Sequence, residues 1–128
     1  MRRSLALLAV VLAASACTSG SSDAAPADLP GEQVAQGLCR AQAAGGGDAE
    51  AAEESFARVH TDLHIVARAL QQVDRKAAAR LLVAKQKVED DFRRRAPTSE
   101  LAPDLRRLVT ATRDGLARLK ITVAPCDR

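Results

Sequence analysis

His60 and His64 are the two residues of this chain whose types and spacing most resemble a reactive or ligating pair. Four residues apart on a helix, both imidazoles leave it in the same direction and can share a Zn²⁺ or Cu²⁺ ion. Glu53 points between them but lies two turns from His60, about 10–11 Å along the axis, too far to join one ion. A further ligand must come from another segment, and Glu89, Asp90 and Asp91 are the candidates. The H-E-x-x-H pattern is absent, because Thr61, Asp62 and Leu63 follow His60. The competing reading is two rings packed at the rim of a helical core, with no ion.

Other constellations are sparse. Ser55 is the one serine in a helical stretch near His60, and no acid–base–nucleophile triad is legible around it. Gly45-Gly46-Gly47 follows a helical pattern instead of a strand, so it does not read as a phosphate loop. Lys85 falls between Leu81 and Val88 on an apolar stripe. Its stem is expected to lie along the core with the ammonium in water, near Glu89. Acids before bases in Glu89-Asp90-Asp91 and Arg93-Arg94-Arg95 read as a solvated helix end. Nothing here points to an enzyme.

The three cysteines divide by context. Cys39 and Cys126 have no C-x-x-C partner and no neighbouring His, so a structural disulfide between them is the expected chemistry in an oxidising compartment. In the chain-entropy account, closing so long a loop contributes up to about 4–5 kcal/mol. Cys17 follows a different pattern. Arg2-Arg3, an apolar run over 5–12 and small residues at Ala13-Ala14-Ser15-Ala16 precede it. That order is an export signal.

With Cys17 directly after the small residues, residues 1–17 resemble the start of a bacterial lipoprotein precursor. Ala14 stands where that class usually carries Leu. The resemblance implies a diacylglyceryl group on the Cys17 thiol, cleavage before Cys17 and localisation on the outer face of the cell membrane. Two or more acyl chains, at about 0.8 kcal/mol per buried methylene, would make the anchor stable. An ordinary secretory signal cut after Ala16 is the alternative. The apolar run is too short for a spanning helix, which needs about 20 residues.

Composition narrows the function classes. The chain of 128 residues has a formal net charge of +3, but Arg2 and Arg3 would leave with the leader. The chain has no Trp or Tyr and 2 Phe, so base stacking has little to work with and no nucleic-acid partner is expected. Residues 17–73 are acidic and residues 74–128 basic. The basic half could face anionic lipid or cell-wall polymers. The simpler expectation is that the acidic helix lies beside the basic ones and neutralises them.

The elements that must position these residues are helical. Residues 17–31 are rich in Ser, Ala, Gly, Asp and Pro and read as a lipidated tether reaching about 20 Å. Helices are expected over 32–44, 48–72, 75–95 and 99–119. Ala52, Phe56, Val59, Leu63, Val66, Leu70 and Val73 form the clearest stripe, at alternating spacings of four and three. Asp48 and Asp74 are in place as N-caps, and Pro103 should lie in the first turn of the last helix. Residues 72–75 contain no Gly or Pro, so a continuous rod is the alternative there. The expected fold is all-α, a small antiparallel bundle of three to four helices over residues 32–128, monomeric and stapled by Cys39–Cys126. The expected function is a non-catalytic, lipid-anchored binding or interaction module at the cell envelope, with an unidentified protein or envelope partner and no cofactor. A metal-binding protein using His60 and His64 is the alternative.

Overall fold

A computed structural model describes residues 28–127. The leader, Cys17 and most of the tether lie outside those residues. Four helices follow in order: α1 (Gly31–Ala44), α2 (Ala49–Val73), α3 (Arg75–Arg93) and α4 (Thr98–Arg118). No strand is found among the described residues, and none of their helices is long and apolar enough to cross a membrane.

The helices form an antiparallel bundle because each carries one apolar stripe and the connections are short. Each helix packs on its chain neighbours, α1 closes the ring against α4, and α2 meets α4 across the centre. The core gathers Val34 and Leu38 from α1, Leu63, Val66 and Leu70 from α2, Leu81 and Val88 from α3, and Leu101, Leu105, Leu108 and Leu116 from α4, all at most 1% exposed. The α2 stripe ends one turn before the helix does. Val73 is exposed, because the chain turns away at the next residue.

Asp74 makes that turn and excludes the rod. Its backbone is extended, its N–H donates to the Leu70 carbonyl at 2.8 Å, and its carboxylate accepts from the Ala77 N–H at 2.9 Å. One residue thus closes α2 and caps α3. Asp48 caps α2 in the same way through the Ala51 N–H. Helix α4 departs from expectation. It begins at Thr98, so Pro103 lies in its second turn. The carbonyl that Pro103 leaves without a donor belongs to Ser99, which is exposed and can bond to water.

Two glycines of α1 and its end serve packing. Gly45 ends α1 in the right-handed region, not the left-handed one, and a Cβ there would lie 2.4 Å from Leu105 Cδ1. Gly37 lets α1 approach α2, since a Cβ would meet Val59 Cγ1 at 2.3 Å. The left-handed positions fall instead on Arg95 and Lys120, just past α3 and α4. There the Ala96 N–H reaches the Asp91 carbonyl and the Ile121 N–H reaches the Leu116 carbonyl, closing a Schellman-type end on each helix.

After α4 the chain runs back along the bundle without regular structure. Ile121, Val123 and Cys126 pack against the core, and Cys39 and Cys126 are joined by a disulfide with an S–S distance of 2.02 Å. The two cysteines are 87 residues apart in sequence, and their bond ties the tail to the middle of α1. At the other end, Leu29 already packs on the core, so the folded body begins inside the stretch read as tether.

Candidate functional site

The long stripe of α2 has a polar edge on which Phe56, His60 and His64 follow one another, one turn apart. Their rings form a ladder. Phe56 and His60 meet edge to face with centroids 5.8 Å apart, and His60 and His64 do so at 5.0 Å. Phe92 of α3 joins it at 5.6 Å from Phe56, so both phenylalanines of the chain stand at this one edge.

Opposite the ladder, α3 presents Lys85 and Glu89, also one turn apart. Glu89 Oε1 receives both His60 Nε2 and Lys85 Nζ, each at 2.6 Å. Burial alone would push the Glu89 carboxyl up. The hydrogen bonds from Lys85 and His60 outweigh it and hold the carboxyl below its ordinary range. His64 is held below its ordinary value by partial desolvation first, then by the Lys85 ammonium and His60, against the opposing pull of Glu89. A cleft of about 480 Å³ opens beside the cluster, with Glu53, Thr61 and Arg93 on its rim.

The pair singled out in the sequence is therefore together in space, and Glu89, one of the three acids named as possible ligands, does reach His60. Asp90 and Asp91 do not; Asp90 pairs with Arg93 at 2.6 Å. Among the described residues no group of three or more His, Cys, Asp and Glu side chains gathers to hold a metal ion. The Lys85 ammonium sits on Glu89 Oε1, the same oxygen that meets His60. Lys85 itself differs from expectation. Its side chain is 6% exposed, and the ammonium ends on Glu89 instead of in open water. The reason is geometric, since an acid one turn on lets the charge be satisfied without leaving the interface.

No hydroxyl or thiol among the described residues hydrogen-bonds to either histidine. His60 and Glu89 join α2 to α3 by a hydrogen bond, and Lys85 and Glu89 pair along α3.

A second polar cluster was not legible as such in the sequence. Asp91 of α3 and Asp104 of α4 are both buried between their helices. Lys87 bridges them, 2.7 Å from Asp91 Oδ1 and 3.1 Å from Asp104 Oδ2. Arg94 holds Asp91 at 2.8 Å and also pairs with Glu100, while Arg107 pairs with Asp104. Burial raises the Asp91 carboxyl, but the Lys87 and Arg94 hydrogen bonds prevail and hold it low. The signal that would have found these acids is positional. Asp91 lies three residues after Val88 and Asp104 three after Leu101, both on buried faces. The segment 89–95 is thus not wholly a solvated end.

Among the described residues no carboxylate of α1 or α2 forms an ion pair with a Lys or Arg of α3 or α4. The interhelical pairs run from α2 to α3 through His60 and Glu89, and from α3 to α4 through Lys87, while Arg118 reaches Asp74. Arg80 of α3 and Arg106 of α4 line the groove between those helices, whereas Arg113 lies beside the C-terminal tail.

Fold and sites together define a disulfide-closed four-helix bundle with two polar interhelical clusters and a basic outer face. Compared with family models, curated proteins and solved structures, the chain matches none.

Proposed function

We propose that this chain is an exported lipoprotein, anchored through lipid on Cys17, whose helical domain is a non-catalytic interaction module at the cell envelope. The observation that carries the reading is the leader itself: Arg2-Arg3, the apolar run over 5–12, and Ala14-Ser15-Ala16 directly before Cys17. The Cys39–Cys126 disulfide supports it, because such bonds persist in oxidising compartments outside the cytoplasm.

Cys17→Ser tests the anchor. The wild-type chain is expected in the membrane fraction, with a diacylglyceryl mass on the peptide that begins at Cys17. The variant is expected in the soluble fraction. Unchanged membrane fractionation of the variant would reject lipid anchoring.

A second reading retains His60 and His64 as a metal pair, on the observation that their rings lie 5.0 Å apart with Glu89 against His60. In it the ion competes with Lys85 for Glu89. Titration with Zn²⁺ and Cu²⁺ decides: binding that is absent, or unchanged in His60→Ala plus His64→Ala, removes the metal.

A further inference from the structure

Between the outer surfaces of α3 and α4 lies a trough of about 850 Å³. Its floor is built of small or apolar side chains, Ala84 and Val83 from α3 and Pro103 and Ala111 from α4. Val83 is 70% exposed, the highest value among the large apolar side chains left outside the core. Its walls are basic. Arg80, Lys87, Arg106 and Arg107 line it against two acids, Asp104 and Asp114. Lys87 and Arg107 are held on Asp104, whereas Arg80 and Arg106 form no ion pair among the described residues.

We propose that this trough is the docking site for an amphipathic helix with acidic flanks, supplied by a partner protein. Three features select that occupant. First, the trough is concave and floored by alanines, which admit a helix ridge. A bilayer surface presses on what protrudes and cannot fill a furrow between two helices. Second, Arg80 and Lys87 span about 10 Å at 1.5 Å per residue, two turns of a guest helix. Apolar guest residues at i, i+3 or i+4 and i+7 then meet Val83, Ala84 and Ala111. Third, the unpaired arginines stand on the walls, where they meet the guest's acidic flanks. The proposal rests on the interaction-module reading above and names its partner class; it does not depend on the lipid at Cys17.

The test uses the full-length protein in detergent micelles and a fluorescein-labelled, Ala-rich peptide of about 15 residues, the length at which such helices become stable in water. The peptide carries Leu at i, i+3, i+4 and i+7 and Glu on the flanks. Saturable binding by fluorescence anisotropy is expected, weakened at least about tenfold by Arg80→Glu plus Arg106→Glu and likewise by Val83→Glu. Lys76→Glu reverses one charge on α3 outside the trough, half the change made by the double arginine variant, and should leave binding unchanged. A Lys-flanked peptide should not bind. All four substituted sites are exposed, and retained helical circular dichroism shows that the variants fold. Absence of saturable binding, equal binding of the Lys-flanked peptide, or an equal loss in Lys76→Glu would overturn the proposal. So would binding of the Cys17→Ser chain to phosphatidylglycerol vesicles, lost in the trough variants, with no peptide binding, because it would give the surface to lipid. Release of Cys17→Ser from membranes without peptide binding keeps the anchor and rejects the trough; peptide binding without release does the reverse.

Discussion

Asp91 shows how one side chain can be both necessary and invisible. Its carboxylate is fully buried, accepts from Lys87 and Arg94, and leaves Oδ2 without a partner. A neutral isostere would remove one of the two carboxylates that each of Lys87 and Arg94 contacts. We expect Asp91→Asn to lower the unfolding free energy by about 1–3 kcal/mol, less than for a fully buried pair because Lys87 and Arg94 are half exposed. Urea denaturation of the variant checks this. His64 acts in the opposite sense. Its folded state disfavours the proton, so its ordinary value of 6.5 marks where the unfolded chain begins to bind more protons than the folded one. Stability present above that pH is lost as the pH falls below it. Unfolding free energies should be flat between about pH 8 and 7 and decline below 6.5, with a further decline in the carboxylate range as Glu89 and Asp91 protonate. In His64→Gln the first decline should vanish; its persistence would show that another group is responsible.

Among the elements, α2, α3 and α4 were each legible from their stripes, because a 3.6-residue period leaves a repeated signature at every turn. Their ends were less so. The cap at Asp74 follows a side-chain rule that sequence carries, and it breaks what would otherwise be one rod. The ends of α3 and α4 follow a rule usually signalled by Gly, yet Arg95 and Lys120 occupy the left-handed positions. A side chain there costs about 1–2 kcal/mol in local sterics, partly offset by the greater unfolded-state freedom of Gly. Lys120→Gly is therefore expected to stabilise the bundle by about 0.5–1 kcal/mol, read as a higher thermal midpoint. An unchanged or lower midpoint would mean that the Lys120 stem contributes packing that its exposure does not suggest.

The whole molecule is small, and the cross-link between α1 and the tail bears on all of it. Because Cys39 and Cys126 enclose most of the folded chain, reduction releases the tail and reopens nearly the whole loop entropy. Loss of up to about 4–5 kcal/mol is expected on reduction, or in Cys39→Ala plus Cys126→Ala, measured by chemical denaturation. An indifferent transition would show that Ile121 and Val123 hold the tail unaided. The charge pattern is also a whole-molecule property. The acidic and basic halves were visible in sequence, but their relation was not, because composition records how many charges a helix carries and not which face they occupy.

What sequence determined by itself is local or periodic: the helical stripes, the Asp caps, and an even cysteine pair once Cys17 is set apart. Those features depend on neighbours a few residues away, whose relative positions the helix repeat dictates. Tertiary structure alone decided that Glu89 would serve His60 and Lys85 together, that Asp91 and Asp104 would share Lys87, and that Arg80 and Arg106 would line one groove between α3 and α4. Each of these depends on the rotation and register of one helix against another. That is set by how the side chains of all four interlock, a sum over contacts that no single segment contains.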